Sequence, residues 1–512
     1  MPDPAICERA RLSRDARFDG LFFVAVLTTG IFCRPICPAR TPRVENVRFF
    51  PSVVTALDAG YRPCLRCCPE RAPQGKLAGS GSASVHRALG QIEAGALDDA
   101  SVAALAQSVG LSARQLTRLF VAELGVAPGA LAQARRISIA KQLIDDTTLS
   151  FAQIAALSGF GSLRRFNEAV QQLWSRPPSA LRSERVPQRN VADSPSAGGV
   201  HAADPQVRLR LALRPPYHCG WLLSYLEKRA IPGVERVDGD TWTRTLPGGV
   251  VRVQMLADAL LVTLHGDLTK LRVADVLQRV RRVFDVSADG RVIDAHLAAD
   301  TRLRAVVERD PGLRVPGAWD GFEVAVRAVL GQQVSVAGAT TLAMRLVQRF
   351  GTATRDGGYL FPDAVALAHA DVAAIGMPET RGAAVRELAR AVLDGRLALH
   401  TSQTPEALIA QLVALRGVGP WTAQYVAMRV LGDPDAFPAE DIVLRKIVEP
   451  DVTLSSRALL QRAEAWRPWR AYAVMYLWCD ATHRDAARRD AARRAQAQHT
   501  RAANKHRPVQ KT

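Results

Sequence analysis

Two polar segments rich in Gly, Ser and Pro constrain most strongly how this chain can fold. One is GKLAGSGSAS at 75–84, and the other spans residues 183–206. Such segments hold too few large apolar residues to join a core, so they predict linkers between independently folded parts. At 512 residues, the chain also exceeds the size at which a single core stops growing. We therefore expect several domains.

The segment 84–182, between the linkers, has the spacing of two helix-turn-helix units. Apolar residues recur at helical intervals from Val102 to Val109, and Ser112 stands where it would cap the next helix. The pattern returns about 50 residues later, where Ser162 would cap a second such helix. The segment therefore predicts two successive helix-turn-helix units.

Strand patterns follow the second linker. VRLRLAL (207–213), VVRVQML (250–256) and ALLVTLH (259–265) alternate or are largely apolar. They predict a small α/β domain over 207–300. From 301 to 483 the pattern is mostly helical, which predicts an all-α domain.

The charge of the chain favours a polyanionic partner. The formal net charge is +18 and the isoelectric point is about 10.2, which favours nucleic acid over a membrane surface. The tail, 484–512, holds nine Lys or Arg against two Asp and almost no large apolar residues, so we expect it to be disordered. The sequence has no apolar run of about 18 residues and no signal-peptide pattern at its start. We expect a cytoplasmic protein with no membrane partner.

The most informative segment is LRGVGPWTAQYVAMRVLGDPDAFPAEDIVLRK at 415–446. Gly417 and Gly419 form a tight hairpin between two helical stretches. Glycines let backbone N–H groups approach a phosphate closely, and the helix that begins near Pro420 adds the positive end of its dipole. The hairpin is therefore suited to binding the DNA backbone without sequence preference.

This segment resembles the helix-hairpin-helix DNA glycosylases, in which a glycine hairpin, a helix and a Gly/Pro-rich loop lead to a catalytic Asp, here Asp441. GLRVPGAWDGFEVAVRAVLGQQVSVAGA (312–339) and WRPWRAYAVMYLWCD (466–480) extend the resemblance to the AlkA-type 3-methyladenine glycosylases over about 207–482. The resemblance implies hydrolysis of the N-glycosidic bond of alkylated bases, with Asp441 stabilising the cationic sugar. Strand-cutting relatives carry a lysine where this chain has Trp421, so the resemblance implies a monofunctional enzyme that needs no cofactor.

The AlkA-type resemblance also implies a pocket for a base flipped out of the duplex. Tyr225, Trp421, Tyr425 and Trp478 fall on the positions of its aromatic cleft, where stacking and cation–π attraction suit a methylated, cationic base. Outside this context the same aromatics would be read as core residues. Gln333 stands at the position of the side chain that fills the gap left by the flipped base.

The cysteines near the N-terminus form a second constellation. FCRPICPAR (32–40) and YRPCLRCCPE (61–70) place Cys33 and Cys37 in a C-x3-C pair, and Cys64 and Cys67 in a C-x2-C pair. Four thiolates at this spacing predict one tetrahedral zinc ion. Cys68 is extra to the set, and free or redox-active cysteines are the alternative.

With TTGIFCRP (28–35) and RVENVRFF (43–50), these motifs resemble the N-terminal domain of Ada-type proteins, which take a methyl group from a DNA phosphotriester. The resemblance implies that Cys33 is the acceptor, that zinc both supports the fold and keeps the thiolate nucleophilic, and that Arg34, Arg62 and Arg66 hold the DNA backbone. Methylation would remove negative charge and strengthen DNA binding. A purely structural zinc domain is the alternative.

The region 84–182 resembles the double helix-turn-helix of AraC-type activators. Five side chains on its two recognition helices would then read bases or phosphates, although such residues often only form a solvated surface. They are Arg114, Gln115, Arg118, Arg164 and Arg165.

Together these observations predict a multidomain α+β protein: an Ada-like zinc domain (1–78), an AraC-type double helix-turn-helix (84–182), an AlkA-type N-domain (207–300), a helix-hairpin-helix glycosylase domain (301–483) and a disordered basic tail. We expect a monomer that repairs alkylated double-stranded DNA, binds promoter DNA and, as an activator, contacts RNA polymerase. Two alternatives stay open: a glycosylase whose N-terminal half only binds DNA, and a regulator whose glycosylase half has decayed.

Overall fold

The computed structural model describes residues 1–15, 18–72, 83–147, 149–183, 206–267, 271–399, 404–449 and 452–505. Both predicted linkers fall largely outside these ranges. Within the described ranges, no helix is long and apolar enough to cross a membrane.

A small sheet and two helices form the N-terminal domain. Its elements are α1 (Pro4–Leu12), β1 (Phe23–Val26), β2 (Ile31–Cys33), β3 (Val47–Phe50), α2 (Val53–Asp58) and β4 (Arg62–Pro63). The strand order is β3-β1-β2-β4, in which only β2 and β4 are parallel. The apolar run LFFVAVL at 21–27 contains the interior strand β1. The parallel pairing brings the strand that ends at Cys33 beside the segment that leads into Cys64.

Eight helices follow, and they contain both predicted helix-turn-helix units. They are α3 (Ala83–Glu93), α4 (Ala96–Asp99), α5 (Val102–Ser108), α6 (Ala113–Leu124), α7 (Pro128–Asp146), α8 (Phe151–Leu157), α9 (Leu163–Trp174) and α10 (Pro178–Ser183). The predicted caps are confirmed, because the Ser112 hydroxyl accepts from a backbone N–H of α6 and the Ser162 hydroxyl from one of α9. The long helix α7 lies between the two units and buries Leu143 and Ile144 completely.

An antiparallel sheet of five strands forms the next domain. The elements are β5 (Gln206–Ala212), α11 (Cys219–Glu227), β6 (Glu235–Asp238), β7 (Thr241–Leu246), β8 (Gly249–Met255), β9 (Ala259–Gly266), α12 (Val273–Val283) and α13 (Gly290–Leu297). The strand order is β5-β9-β8-β7-β6, so β5 and β6 form the two edges. The three apolar runs correspond to β5, β8 and β9, and they are confirmed as strands.

Helices make up most of the remaining chain. They are α14 (Thr301–Arg309), α15 (Gly321–Leu330), α16 (Val336–Phe350), α17 (Ala364–Leu367), α18 (Glu379–Leu393), α19 (Pro405–Val413), α20 (Pro420–Leu431), α21 (Ile442–Ile447), α22 (Ser456–Ala463) and α23 (Arg470–Lys505). One small hairpin, β10 (Thr352–Ala353) and β11 (Tyr359–Leu360), interrupts the series. The hairpin that precedes α20 and the N-terminus of α21 carry the two halves of the predicted glycosylase site.

The basic tail begins as a continuation of the last helix. Helix α23 continues through the start of the tail and ends at Lys505. Ala, Arg and Gln dominate this stretch, and all three favour helix over coil. Because the helix is already nucleated in the apolar segment before 484, extending it adds no nucleation cost. Residues 506–512 lie outside the described ranges.

The parts on either side of the second linker are in contact. Helix α7 packs against strand β5, and one apolar cluster runs from α7–α10 into the five-stranded sheet. Polar contacts support this packing. Arg272 pairs with Asp99 at 2.9 Å, and the Gln278 amide donates to Glu93 at 3.1 Å. The described domains therefore form one continuous body.

Candidate functional site

The glycine hairpin joins α19 to α20. Gly417 has φ +87°, in the left-handed region, and a Cβ at this position would lie 2.6 Å from the Cβ of Ala384. Gly419 is the N-cap of α20 and has no side-chain cap. A Cβ there would meet no heavy atom within 4 Å. Gly417 therefore allows the turn, while Gly419 leaves the N-terminus of α20 open for a phosphate.

Asp441 is the N-cap of α21 and lies across from the start of α20. Its Oδ1 accepts from the backbone N–H groups of Val443 at 2.9 Å and Leu444 at 3.0 Å. Indole N–H groups complete the arrangement: Trp421 donates to Oδ2 at 2.9 Å, and Trp478 donates to Oδ1 at 3.4 Å. The carboxylate is buried, so these donors fix its position in the site.

The four predicted pocket aromatics come together beside Asp441. Trp421 stacks on Tyr425, with ring centroids 5.3 Å apart and planes 12° apart, and Trp478 lies 6.4 Å from Tyr425. Tyr225, which is 200 residues away in sequence, shares a hydrogen bond with the Tyr425 hydroxyl at 3.2 Å. All four are partly exposed, unlike the fully buried aromatics of the core. Their role in base binding stays a prediction.

Arg429 is a residue of this site that the sequence analysis missed. It lies one turn after Tyr425 on α20 and is 2% exposed. It donates to the Tyr225 hydroxyl at 2.8 Å and to the Pro316 carbonyl at 2.7 Å. Burial alone would raise the pKa of Tyr425, but the positive charges of Arg429 and Arg229 outweigh it and lower the pKa to about 8. An arginine inside the apolar run of α20 was the signal that could have revealed it.

The residue predicted to fill the gap left by the flipped base, Gln333, lies in the loop before α16. Gln333 is exposed and has φ +55°, a conformation that non-glycine residues adopt at a cost. The neighbouring Gln332 was also missed. Its amide donates to the Gly417 carbonyl at 2.9 Å and to the Thr422 hydroxyl at 3.1 Å. Gln332 thus links the loop that carries Gln333 to the glycine hairpin through hydrogen bonds.

The four predicted zinc ligands also come together. The Sγ atoms of Cys33, Cys37, Cys64 and Cys67 all lie within 4.8 Å of one another. Four thiols at this spacing fit a tetrahedral zinc ion. The backbone N–H of Arg34 donates to the Cys67 sulfur at 3.4 Å, as donors around metal thiolates commonly do.

The predicted DNA-contacting arginines of the zinc domain differ in their surroundings. Arg66 is exposed. Arg62 is partly exposed, and its guanidinium donates to the Ser175 hydroxyl at 3.3 Å. Arg34 is ion-paired with Asp19 inside the domain. Arg34 therefore supports the fold around the cysteines, and only rearrangement would free it for DNA.

The recognition helices α6 and α9 present their predicted residues to solvent. Arg114, Arg118 and Arg165 are exposed. Gln115 is also exposed, but its side-chain oxygen caps α6 by accepting from the Ser112 N–H at 3.0 Å. Arg164 pairs with Glu168 one turn along α9. DNA contact by all five stays a prediction, and for Gln115 only the amide nitrogen is free to make one.

Four family models match successive parts of the chain. They are described as the metal binding domain of Ada (residues 6–70), a helix-turn-helix domain (105–184), the AlkA N-terminal domain (208–320) and the HhH-GPD superfamily of base excision DNA repair proteins (326–470).

Curated relatives span either the whole chain or one half. A probable bifunctional transcriptional activator/DNA repair enzyme AlkA of Mycobacterium tuberculosis is 40% identical over 489 residues, covering 93% of this chain and 96% of the relative. DNA-3-methyladenine glycosylase 2 of Escherichia coli is 36% identical, covering 52% of this chain and 94% of that protein. The bifunctional activator/repair enzyme Ada of Escherichia coli is 44% identical, over 24% of this chain and 34% of its own length. Among solved structures, the 3-methyladenine DNA glycosylase of Archaeoglobus fulgidus is 20% identical, covers 54% of this chain and 98% of its own, and has a TM-score of 0.48.

The match along nearly the full length of both chains decides the family, because it includes the zinc-binding, helix-turn-helix and glycosylase parts in the same order. The chain belongs to the bifunctional transcriptional activator/DNA repair enzymes in which an Ada-type regulator is fused to an AlkA-type base excision glycosylase.

Proposed function

We propose that the glycosylase half hydrolyses the N-glycosidic bond of alkylated bases such as 3-methyladenine and leaves the DNA strand intact. One observation carries this proposal: a buried carboxylate, Asp441, lies among partly exposed aromatics beside the glycine hairpin. The position that would need a lysine for strand cutting is Trp421, which donates to Asp441 instead. The chemistry is therefore hydrolytic and needs no cofactor.

The hydrogen bonds to Asp441 leave one of its oxygens available. A carboxylate has about four acceptor sites, two on each oxygen. Among the described residues, Oδ1 accepts from three donors, whereas Oδ2 accepts only from the Trp421 indole. Oδ2 is thus the oxygen that stabilises positive charge on the sugar as the base departs, and it can orient the attacking water.

Asp441→Asn tests this role. Asn caps helices as well as Asp does, so α21 should stay folded while the negative charge is lost. We expect release of 3-methyladenine from methylated DNA to fall by at least about a hundredfold, with DNA binding nearly unchanged. Glu440→Gln, which neutralises the exposed neighbouring carboxylate, is the matched control. Full activity in Asp441→Asn would remove Asp441 from the mechanism.

For the N-terminal half, we propose that Cys33 accepts a methyl group from a DNA phosphotriester once per molecule. The four thiols would hold one zinc ion, which supports the fold and keeps the Cys33 sulfur deprotonated. In the transfer, the Cys33 sulfur forms a bond to the methyl carbon as the bond from that carbon to the phosphate oxygen breaks. The phosphodiester leaves with its normal negative charge, and loss of the thiolate charge reduces repulsion of DNA.

Mass spectrometry after incubation with methylated DNA tests the acceptor. We expect one methyl on Cys33, none on a Cys33→Ser chain, and normal uptake by Cys68→Ser, which changes the cysteine outside the cluster. Methyl uptake by Cys33→Ser would refute the assignment.

Promoter binding separates sensing from simple DNA binding. We propose that the N-terminal half is a methyl-dependent activator, so the methylated chain should bind its promoter more tightly than the unmethylated chain. It would act as a monomer and recruit RNA polymerase. Equal affinity before and after methylation would instead support a glycosylase whose N-terminal half only binds DNA.

A further inference from the structure

Helix α23 carries part of a second group of metal-binding side chains, separate from the cysteine cluster of the N-terminal domain. The group consists of Asp310, Cys479 and His483, whose ligand atoms all lie within 4.8 Å of one another. Cys479 and His483 are four residues apart on α23, so they share one face of the helix. Asp310 is the C-cap of α14, a helix that packs against α23. Three different ligand types from two helices therefore converge on one point.

The separations within this group fit ligands that share one ion. The Asp310 Oδ2 atom is 3.6 Å from the Cys479 sulfur and 3.7 Å from His483 Nε2. Metal bonds of about 2.0–2.3 Å at a tetrahedral angle place neighbouring ligand atoms about 3.3–3.6 Å apart. The distance between Asp310 and His483 is also too long for a direct hydrogen bond. Small side-chain movements would bring all three atoms onto a zinc ion.

The chemistry of the three ligands favours zinc. Thiolate and imidazole select zinc over magnesium or calcium, which prefer oxygen ligands. Cys479 would bind as the thiolate and release its proton to water. The thiolate and the Asp310 carboxylate together supply two negative charges, which balance a divalent ion. Three protein ligands leave the fourth position of a tetrahedral zinc ion to water.

Neighbouring side chains hold the Asp310 carboxylate in place. Nδ1 of His218 accepts from the Trp221 backbone N–H at 3.1 Å, which leaves the proton of the neutral ring on Nε2. This Nε2 atom lies 3.6 Å from Asp310 Oδ1, so His218 supports the carboxylate and is not itself a ligand. Arg309 donates to Oδ2 at 2.8 Å. A carboxylate oxygen has about two acceptor sites, so this bond leaves one for a metal. The positive charge of Arg309 opposes a cation, but its side chain is 41% exposed and screened by solvent.

The group has a buried side and an open side. Asp310 and Cys479 are buried, whereas His483 is exposed, so an ion has a path from solvent. Residues 482–491 of α23 are all exposed. The group therefore lies where α23 leaves the domain, and an ion bound there would join the two helices at that point.

We propose that Asp310, Cys479 and His483 form a second zinc site, and that the ion fixes α23 to α14 where α23 leaves the domain. The ion is structural and takes no part in base release or methyl transfer. The proposal therefore stands apart from the activities proposed above and adds a metal to the glycosylase half.

Counting zinc ions on the full-length chain tests the site. After equilibration with Zn²⁺ and desalting, native mass spectrometry should find two ions on the wild-type chain and one on His483→Gln or Cys479→Ser. Loss of a ligand should weaken binding of the second ion by more than about tenfold. His296→Gln, which changes an exposed histidine on α13, is the matched control and should keep two ions. Because His483 is exposed, its replacement should leave the fold intact even if Cys479→Ser fails to fold.

Cobalt absorption identifies the ligands, and melting measures the anchoring. Co²⁺ added to the zinc-loaded chain should give sulfur-to-cobalt charge-transfer and tetrahedral d–d bands that are weaker in His483→Gln than in wild type or His296→Gln. Tryptophan fluorescence follows melting of the glycosylase half, which contains every tryptophan except Trp174. Zinc beyond the first equivalent, at about a hundred times its Kd, should raise this melting temperature by about 5–10 °C in wild type and not in His483→Gln.

One zinc ion per wild-type chain would overturn the proposal and leave the proposed activities untouched. A second ion that both His483→Gln and Cys479→Ser retain would overturn it as well, because the ion would then lie elsewhere. Two ions on the wild-type chain with equal melting temperatures for zinc-loaded wild type and His483→Gln would refute the anchoring of α23.

Discussion

Gly417→Ala should disrupt the glycine hairpin proposed to bind DNA, while Gly419→Ala, two residues away, should barely affect its fold. At Gly417, a side chain must adopt φ +87°, which costs about 1–2 kcal/mol. The added Cβ must also lie 2.6 Å from the Ala384 Cβ. Overpacking of this kind costs about 1–3 kcal/mol. The two effects give a loss of about 2–5 kcal/mol in the free energy of unfolding.

At Gly419 neither cost arises. Its φ is −88°, and an added Cβ meets nothing within 4 Å, so only the weaker capping by Ala remains, under about 1 kcal/mol. Its methyl group does lie where a phosphate would approach. We therefore expect Gly419→Ala to weaken DNA binding without loss of stability. Gly417→Ala should lower both the stability and the affinity for DNA.

Urea denaturation followed by tryptophan fluorescence measures the stability difference, because every tryptophan except Trp174 lies between residues 221 and 478. Fluorescence anisotropy with an undamaged duplex at fixed salt measures binding. Equal stability of the two variants would refute the reasoning, since it would mean that the left-handed turn and the contact with Ala384 are not required.

Two further predictions concern the groups around the carboxylate and the pocket. Trp421→Phe keeps the stack on Tyr425 but removes the N–H donated to Asp441 Oδ2. Hydrogen bonds to charged groups contribute about 1.5–3 kcal/mol. Single-turnover base release should therefore slow by about tenfold to a hundredfold. Trp469→Phe is its control, and equal rates in the two variants would contradict the role. Tyr425 should ionise with a midpoint near pH 8 in an ultraviolet absorbance titration. This pKa lies below the ordinary value of 10, so ionised Tyr425 stabilises the fold increasingly between pH 8 and 10. That contribution is lost as pH falls through 8. Tyr425→Phe should remove this dependence of the free energy of unfolding on pH.

Local patterns in the sequence were sufficient to predict the parts of the site that depend on local chemistry. The cysteine spacing predicted a cluster of four thiols, and the four sulfurs do lie together. Ser112 and Ser162 cap the helices that they were expected to cap. The glycine hairpin and Asp441 lie within one short segment, so their proximity follows from two helix ends.

Long-range partners could not be found in this way. Arg429 faces Tyr225, which belongs to a different domain, and helical periodicity says nothing about which distant ring covers a buried arginine. Likewise, the alternation of apolar and polar residues in β6 and β7 is too short to be recognised in the sequence, although both strands complete the sheet.

Within the described residues, strand β5 is an edge of the five-stranded sheet and pairs with β9 alone, and helix α7 of the regulator half packs against it. Open strand edges are templates for pairing between copies of a protein, and covering them with a helix is one way in which natural proteins prevent aggregation. We expect a glycosylase fragment cut at residue 207 to expose the surface of β5 that α7 covers, and to self-associate more readily than the full chain.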